Sequence, residues 1–331
     1  QGQYVWNDYD SNGIQSLNEF EVAIFQDQAK FIRVLTPTNE FIKSNYTTFN
    51  YSFYLNPRAI LNDPSLRGIK NFISRLNFQS SLQINKKSVA RGDFEFNPFK
   101  YDLNDTALIT LNTTIVNTLS FNRFSSKWGF DFGNLRNGGK SLLTYGYESR
   151  EQNDWNLKIR WNISKALTFS LNNRSGKMAL FTATQLFDNR NYDLDINSVE
   201  PKFDFINGTM FRVSAGYKLE TKTNKPQYGG EKANSNSINV ETKYNILQNS
   251  ALSGKFTFDN IDYNSKQGNT ANSTVGYIML NGLLPGKNFI WNITVTKRLL
   301  NNLELSVQYD GRKPASTRTV HTGRASLTAL F

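Results

Sequence analysis

Cysteine is absent from this chain, so no disulfide framework and no thiolate chemistry are available to it. Histidine occurs once, at His321, which leaves little room for a zinc site. Long apolar runs are missing too: none approaches the roughly 18 uninterrupted residues that a membrane-crossing helix needs. With 38% hydrophobic residues and a mean hydropathy of −0.51, the averages alone read as those of a water-soluble protein. The formal charge is +11, yet the basic residues are scattered singly. No basic helix or run is present, so nucleic acid is not an expected partner. No secretory leader is visible, and Gln1 leads straight into Tyr4-Val5-Trp6. A mature chain or the C-terminal piece of a longer one is therefore expected.

Aromatic residues are what the chain has in excess: Phe, Trp and Tyr make up 14% of it, with 25 Phe and 15 Tyr. A barrel in lipid needs only every second residue to be apolar. Its mean hydropathy is then low while its apolar half is large and aromatic. From Tyr46 onward the period is two. Phe49, Tyr51, Phe53 and Leu55 alternate with polar residues, as do Trp155, Leu157, Ile159 and Trp161, and later Leu303, Leu305, Val307 and Tyr309. About 14 such segments can be traced, many of about 8 to 11 residues, which is the length of membrane strands rather than soluble ones. Trp128, Trp155, Trp161 and Trp291 near strand ends fit interfacial girdles.

The expected fold class is all-β: a transmembrane antiparallel up-and-down β-barrel of about 14 strands, residues 46–331, behind a short calcium-loop and helix element, residues 1–45. Short turns are expected at Arg136 to Lys140 (with Asn137-Gly138-Gly139), Ser164-Lys165, Asn207-Gly208, Leu247 to Ser250 and Leu299 to Asn302. Longer links fall at Pro57 to Asn71, Thr221 to Asn234, Asn260 to Asn288 and Arg312 to Val320. The link from Lys87 to Thr106 is long but falls on the short-turn side, and residues 272–284 read either as a loop or as one more strand. Both termini are expected on the periplasmic side.

The sharpest motif runs from Asp8 to Glu19 and matches the EF-hand calcium loop. Calcium wants about 6 to 8 hard oxygen ligands. Asp8, Asp10 and Asn12 offer side-chain oxygens, Ile14 its carbonyl, Ser16 a water-bridged contact and Glu19 a bidentate carboxylate. Gly13 permits the sharp turn, and a metal-free Asx- and Gly-rich turn is the alternative. Ser16-Leu17-Asn18-Glu19 reads as a capping box, so a short helix to about Ala29 is expected, followed by a short strand over Phe31 to Leu35 and a stop at Pro37.

The chain ends Gly323-Arg-Ala325-Ser-Leu327-Thr-Ala329-Leu-Phe331. This resembles the C-terminal signal of outer-membrane proteins, and the resemblance implies recognition by the β-barrel assembly machinery through Ala325, Leu327, Ala329 and Phe331. Val320-His321-Thr-Gly323-Arg324, Gly311-Arg312-Lys313, Leu284-Pro285-Gly286-Lys287-Asn288 with Trp291, and Asn122-Arg123 with Lys127-Trp128-Gly129 are similar to the barrel ends of large Bacteroidota outer-membrane proteins. The acidic loop with Asn18-Glu19-Phe20-Glu21 resembles the dockerin-type element before such barrels. What this implies is an outer-membrane location, contact with lipid and lipopolysaccharide, and periplasmic or surface protein partners.

Two functions fit these features. One is an anchor or scaffold in a larger envelope assembly, with calcium fixing the N-terminal junction. The other is a diffusion or transport channel whose lumen carries Lys158, Arg160 and Arg324 against Glu148 and Glu304, with residues 1–45 as a plug. An enzyme is not expected: His321 lies near Asp310, Thr317 and Thr319 without a nucleophile motif, and Asp193 and Asp195 read as solvated loop charges.

Overall fold

The structure is a computed structural model that describes residues 2–329 except 35, 37–40, 62–66, 91–96, 144–145, 247–248, 266–269 and 300–302, and the side chain of residue 186. Two short strands, β1 (Tyr4–Trp6) and β2 (Phe20–Val22), pair antiparallel. The remaining strands are β3 (Ser44–Leu55), β4 (Leu76–Val89), β5 (Leu108–Phe121), β6 (Trp128–Leu143), β7 (Gly146–Asn162), β8 (Leu167–Thr182), β9 (Tyr192–Asn207), β10 (Phe211–Asn224), β11 (Lys232–Ile246), β12 (Ser250–Asn264), β13 (Gly286–Leu299), β14 (Leu303–Lys313) and β15 (Val320–Ala329). They form one 13-stranded sheet in which every strand pairs with its neighbours in sequence, the up-and-down order of outer-membrane barrels. Two short helices interrupt it, α1 (Gly68–Ser74) and α2 (Thr274–Met279).

Alternation gives the sheet two unlike faces. On one, Trp128 opposes Trp161, Phe130 opposes Ile159 and Phe132 opposes Leu157. These apolar side chains stand open, Trp161 at 56% and Phe203 at 49% exposure, which suits lipid and not water. Aromatic rings lock neighbouring strands, as in Phe169 against Phe203 at 5.0 Å. The register places Asp154, Arg174, Ser198, Glu220 and Ser237 together on the other face. All five of those polar positions but Arg174 are buried.

The apolar face is a band rather than a whole surface. Past Trp155 the same face of β6 and β7 turns polar, through Arg136, Asn153, Glu151, Lys140 and Ser149. β7 has 17 residues, more than the roughly 9–11 needed to cross a bilayer, so its other end projects beyond the band. The band lies towards the rim at which β15 finishes. Links at that rim are mostly short, at 163–166, 208–210, 247–249 and 300–302. The opposite rim carries the links 90–107, 183–191, 225–231 and 265–285.

Several expectations are corrected. The Asn137-Gly138-Gly139 turn does not exist: β6 runs through it to Leu143, pairing Gly138 with Thr113 and Glu151. Glycine here relieves crowding, since a Cβ on Gly138 would lie 2.8 Å from Thr113 Cγ2. β6 and β7 meet instead at the Leu143–Gly146 pair, and the described residues form a sheet of 13 strands, in keeping with the expected number of about 14. An odd count puts the start of β3 and the end of β15 at opposite rims of the sheet. It also moves the long 90–107 link to the long-loop rim, where it no longer stands out, and leaves 56–75 as the long link among short turns. Residues 272–284 form α2 and its flanking turns, not a strand.

In the N-terminal element the helix to Ala29 is replaced by one 3-10 turn, Leu17–Glu19, followed by β2. Phe20, Glu21 and Val22 satisfy their backbone by pairing with Trp6, Val5 and Tyr4. Phe31 makes an isolated bridge to Tyr4; Leu35, Pro37 and Phe331 lie outside the described residues.

Candidate functional site

The acidic loop closes a β-hairpin. β1 leads into Asp8 and the 3-10 turn delivers Glu19 back beside it, with the Asn7 amide bonded to the Glu19 carbonyl at 3.0 Å. Gly13 takes φ +72°, the left-handed conformation the loop requires there. Asp8 and Asp10 turn inward and accept backbone amides: Asn12 N–H donates to Asp8 Oδ1 and Asp10 Oδ1, both at 3.1 Å, and Gly13 N–H to Asp8 Oδ2 at 2.9 Å. Asn12 Oδ1 accepts the Ile14 amide at 2.6 Å.

Glu19 is the fixed wall of the loop. Only 2% exposed, its carboxylate accepts Trp6 Nε1–H at 2.9 Å, the Tyr9 amide at 3.2 Å and the Ser16 amide at 3.1 Å. The last bond is the reciprocal half of the capping box read from the sequence. Asp8, Asp10 and Glu19 bring carboxylate oxygens within 4.8 Å of one another. These three carboxylates, with Asn12, Ile14 and Ser16 in the loop between them, are the residues that could hold a hard, multivalent cation.

The hairpin does not stand free. It sits at the long-loop rim, held by three distant segments that the sequence did not single out as its partners. Glu21 on β2 meets Arg190 of the 183–191 link at 3.3 Å, both side chains almost fully buried. The Ile24 amide donates to the Tyr277 hydroxyl on α2 at 3.1 Å. Asp27 accepts from Arg312 at 2.7 Å, and that guanidinium lies 4.0 Å over the Phe25 ring. Phe25 also packs with Ile261, Leu280 and Leu283, so an apolar cluster seals the junction.

Burial dominates the electrostatics of this junction. The Glu21 carboxyl is raised above its ordinary value by burial, against the opposing pull of Arg190. The pair shares one hydrogen bond, and Glu21 Oε1 has no partner among the described residues. Burial likewise raises the hydroxyls of Tyr9, helped by the Glu21 charge, and of Tyr277.

Beneath the hairpin the inner face is charged. Glu148, Lys158 and Arg160 lie on it with Asp154 and Arg174, which form a 3.0 Å ion pair. Successive registers carry the same face through to Glu304 and Arg324. Lys222 Nζ donates to Asn281 Oδ1 at 2.7 Å and so ties the α2 segment to this face. His321 sits at the long-loop rim, its Nδ1 paired with the Tyr309 hydroxyl at 2.8 Å and its ring stacked on Tyr309.

No protein-family model matches the chain, and no curated protein does. Among solved structures it is similar to the FrpB iron transporter of Neisseria meningitidis, with a TM-score of 0.51 at 9% identity over 82% of this chain and 45% of that one. The ferric-catecholate import receptor Fiu of Escherichia coli K12, in its open form, matches at a TM-score of 0.45 and 10% identity over 87% of this chain and 57% of that one. The chain thus spans about half the length of the solved proteins it matches. With the exposed apolar band and the up-and-down order, the likeness to FrpB establishes the fold as that of an outer-membrane β-barrel.

Proposed function

We propose that this chain is an outer-membrane anchor or scaffold subunit of a larger envelope assembly, with calcium stabilising its N-terminal hairpin. The observation behind this reading is the fastening of that hairpin, through Glu21, Ile24 and Asp27, to three separate segments of one rim. A surface held so rigidly is suited to positioning a neighbour. Calcium is the chosen metal because the donors are all hard oxygens on a loop with EF-hand spacing. The role is non-enzymatic, His321 being a rim residue paired with a tyrosine.

The apolar band towards the short-turn rim, with projecting strands opposite, supports a periplasmic short-turn rim and an external long-loop rim. On this orientation the C-terminal strand with Ala325, Leu327 and Ala329 finishes on the periplasmic side, where the assembly machinery would read it. The calcium hairpin then faces the cell surface near lipopolysaccharide. One observation favours a channel as the second reading: the inner face carries Asp154, Arg174, Glu220 and Lys222 rather than an apolar fill.

Planar-bilayer conductance of the intact chain and of residues 46–331 separates the two. The anchor reading expects silence from both forms. Steady conductance from the intact chain would replace it with an open pore. Conductance only after truncation would make the hairpin a plug.

A further inference from the structure

A cavity of about 650 Å³ opens at the short-turn rim, on the opposite rim from the calcium hairpin. Its described walls come from Arg58 and Leu61, from Asn71 to Arg75, and from the turn 122–127. Arg58, Arg75, Arg123 and Lys127 line it, and among the described residues no Asp or Glu does. Among the described residues none of these four cations forms an ion pair. Four like charges around one cavity repel one another, and nothing in the described protein offsets them. Their side chains are preset nonetheless. Arg58 lies 5.6 Å over the Phe124 ring, and Arg75 Nε–H donates to Asn71 Oδ1 at 3.1 Å, leaving its terminal nitrogens free to bind. Arg160 reaches across from the inner face to the Ser125 carbonyl at 3.0 Å and fixes the turn.

The cavity borders the lipid-facing band. Trp128 is one of its walls and packs on Phe121, which in turn meets Phe72 of α1 at 5.1 Å. α1 exposes Ile69 at 77% and Phe72 at 56%, beside the cations. An apolar shelf next to a cluster of four cations matches one amphiphile: an acyl chain on the shelf and a phosphate among the guanidinium groups.

We propose that this pocket binds the phosphate of an anionic glycerophospholipid in the periplasmic leaflet, with Arg58, Arg75, Arg123 and Lys127 on the headgroup and Phe72 and Trp128 against the chains. The assignment of leaflet rests on the orientation given above; the chemistry of the pocket does not.

The test is native mass spectrometry of the full chain in mild detergent with phosphatidylglycerol. Diacylglycerol, inorganic phosphate and lipid A serve as separate probes. The wild type retains phosphatidylglycerol and not diacylglycerol. The variant R58Q/R75Q/R123Q/K127Q retains it at least about tenfold less, the loss of a single charge-assisted contact. All four side chains are exposed, and far-ultraviolet circular dichroism checks that the variant keeps its sheet. R123K, which keeps the charge, checks that a fold defect is not the cause by retaining the lipid. Equal retention by the quadruple variant overturns the site. Displacement of the lipid by inorganic phosphate alone overturns its lipid character. Preference for lipid A overturns the leaflet, and with it the orientation, while leaving the pocket a phosphate site.

Discussion

Replacing Arg190 by Met should release the N-terminal hairpin from the barrel while leaving the barrel folded. Arg190 and Glu21 keep only 7% and 5% of their side-chain surface in contact with solvent, so neither charge has water to fall back on. Removing one member of such a pair costs about 3–5 kcal/mol, because the remaining charge is stranded. Glu21 is already pushed towards its neutral form by burial, and protonation would relieve part of the penalty, which favours the lower figure. About 3 kcal/mol corresponds to roughly a hundredfold increase in local opening. Met retains the aliphatic stem, so packing is largely preserved. The readout is amide exchange at Asn7 and Ala23, whose N–H groups bond to Glu19 and Gln3 within the hairpin. Both should exchange about a hundredfold faster, while amides of β9 and β10 are unchanged. The pair replacement E21L/R190M should recover most of the protection, since an apolar pair of similar volume carries no stranded charge. Unchanged exchange in R190M would refute the reasoning. So would a double variant as loose as the single one.

Three further outcomes follow from the same geometry. Because the docked Glu21 carboxyl is raised above its free value of 4.5, its contribution to docking is fully present below that value and is lost as pH rises through the raised one; exchange protection at Ala23 should therefore increase on mild acidification in wild type and not in E21Q. Glu19→Gln removes the buried wall of the metal loop, so calorimetric calcium binding, expected near 10⁻⁴ to 10⁻³ M for a surface module, should weaken at least about tenfold; an unchanged titration would place calcium elsewhere. Gly311→Val should destabilise the barrel by about 1–3 kcal/mol in thermal unfolding, because the Trp291 ring lies flat over Gly311 and a Cβ would sit 2.0 Å from its Cε2; unaltered melting would mean the ring is free to move aside.

Alternation in the sequence made the barrel legible because a strand's two faces are written locally, every second residue. Trp155, Ile159 and Trp161 announce one face and Asp154, Lys158 and Arg160 the other, whatever the rest of the chain does. The acidic loop was legible for the same reason: its carboxylates lie within twelve residues and its turn needs Gly13. Gly138-Gly139 misled because glycine marks turns and crowded strand positions alike, and only the cross-strand partner Thr113 tells them apart. The helix after Glu19 failed because Phe20, Glu21 and Val22 pair with the edge that β1 offers.

What the sequence determined by itself was therefore the period-two sheet, its apolar and polar faces, and a compact acidic loop. The tertiary structure alone decided the strand count, the rim on which that loop rests, and the side chains that hold it there. Glu21 and Arg190 stand 169 residues apart and Asp27 and Arg312 stand 285 apart. No local pattern links such residues; only the pairing of many strands brings them within reach, and burial then gives each charge a partner it cannot do without.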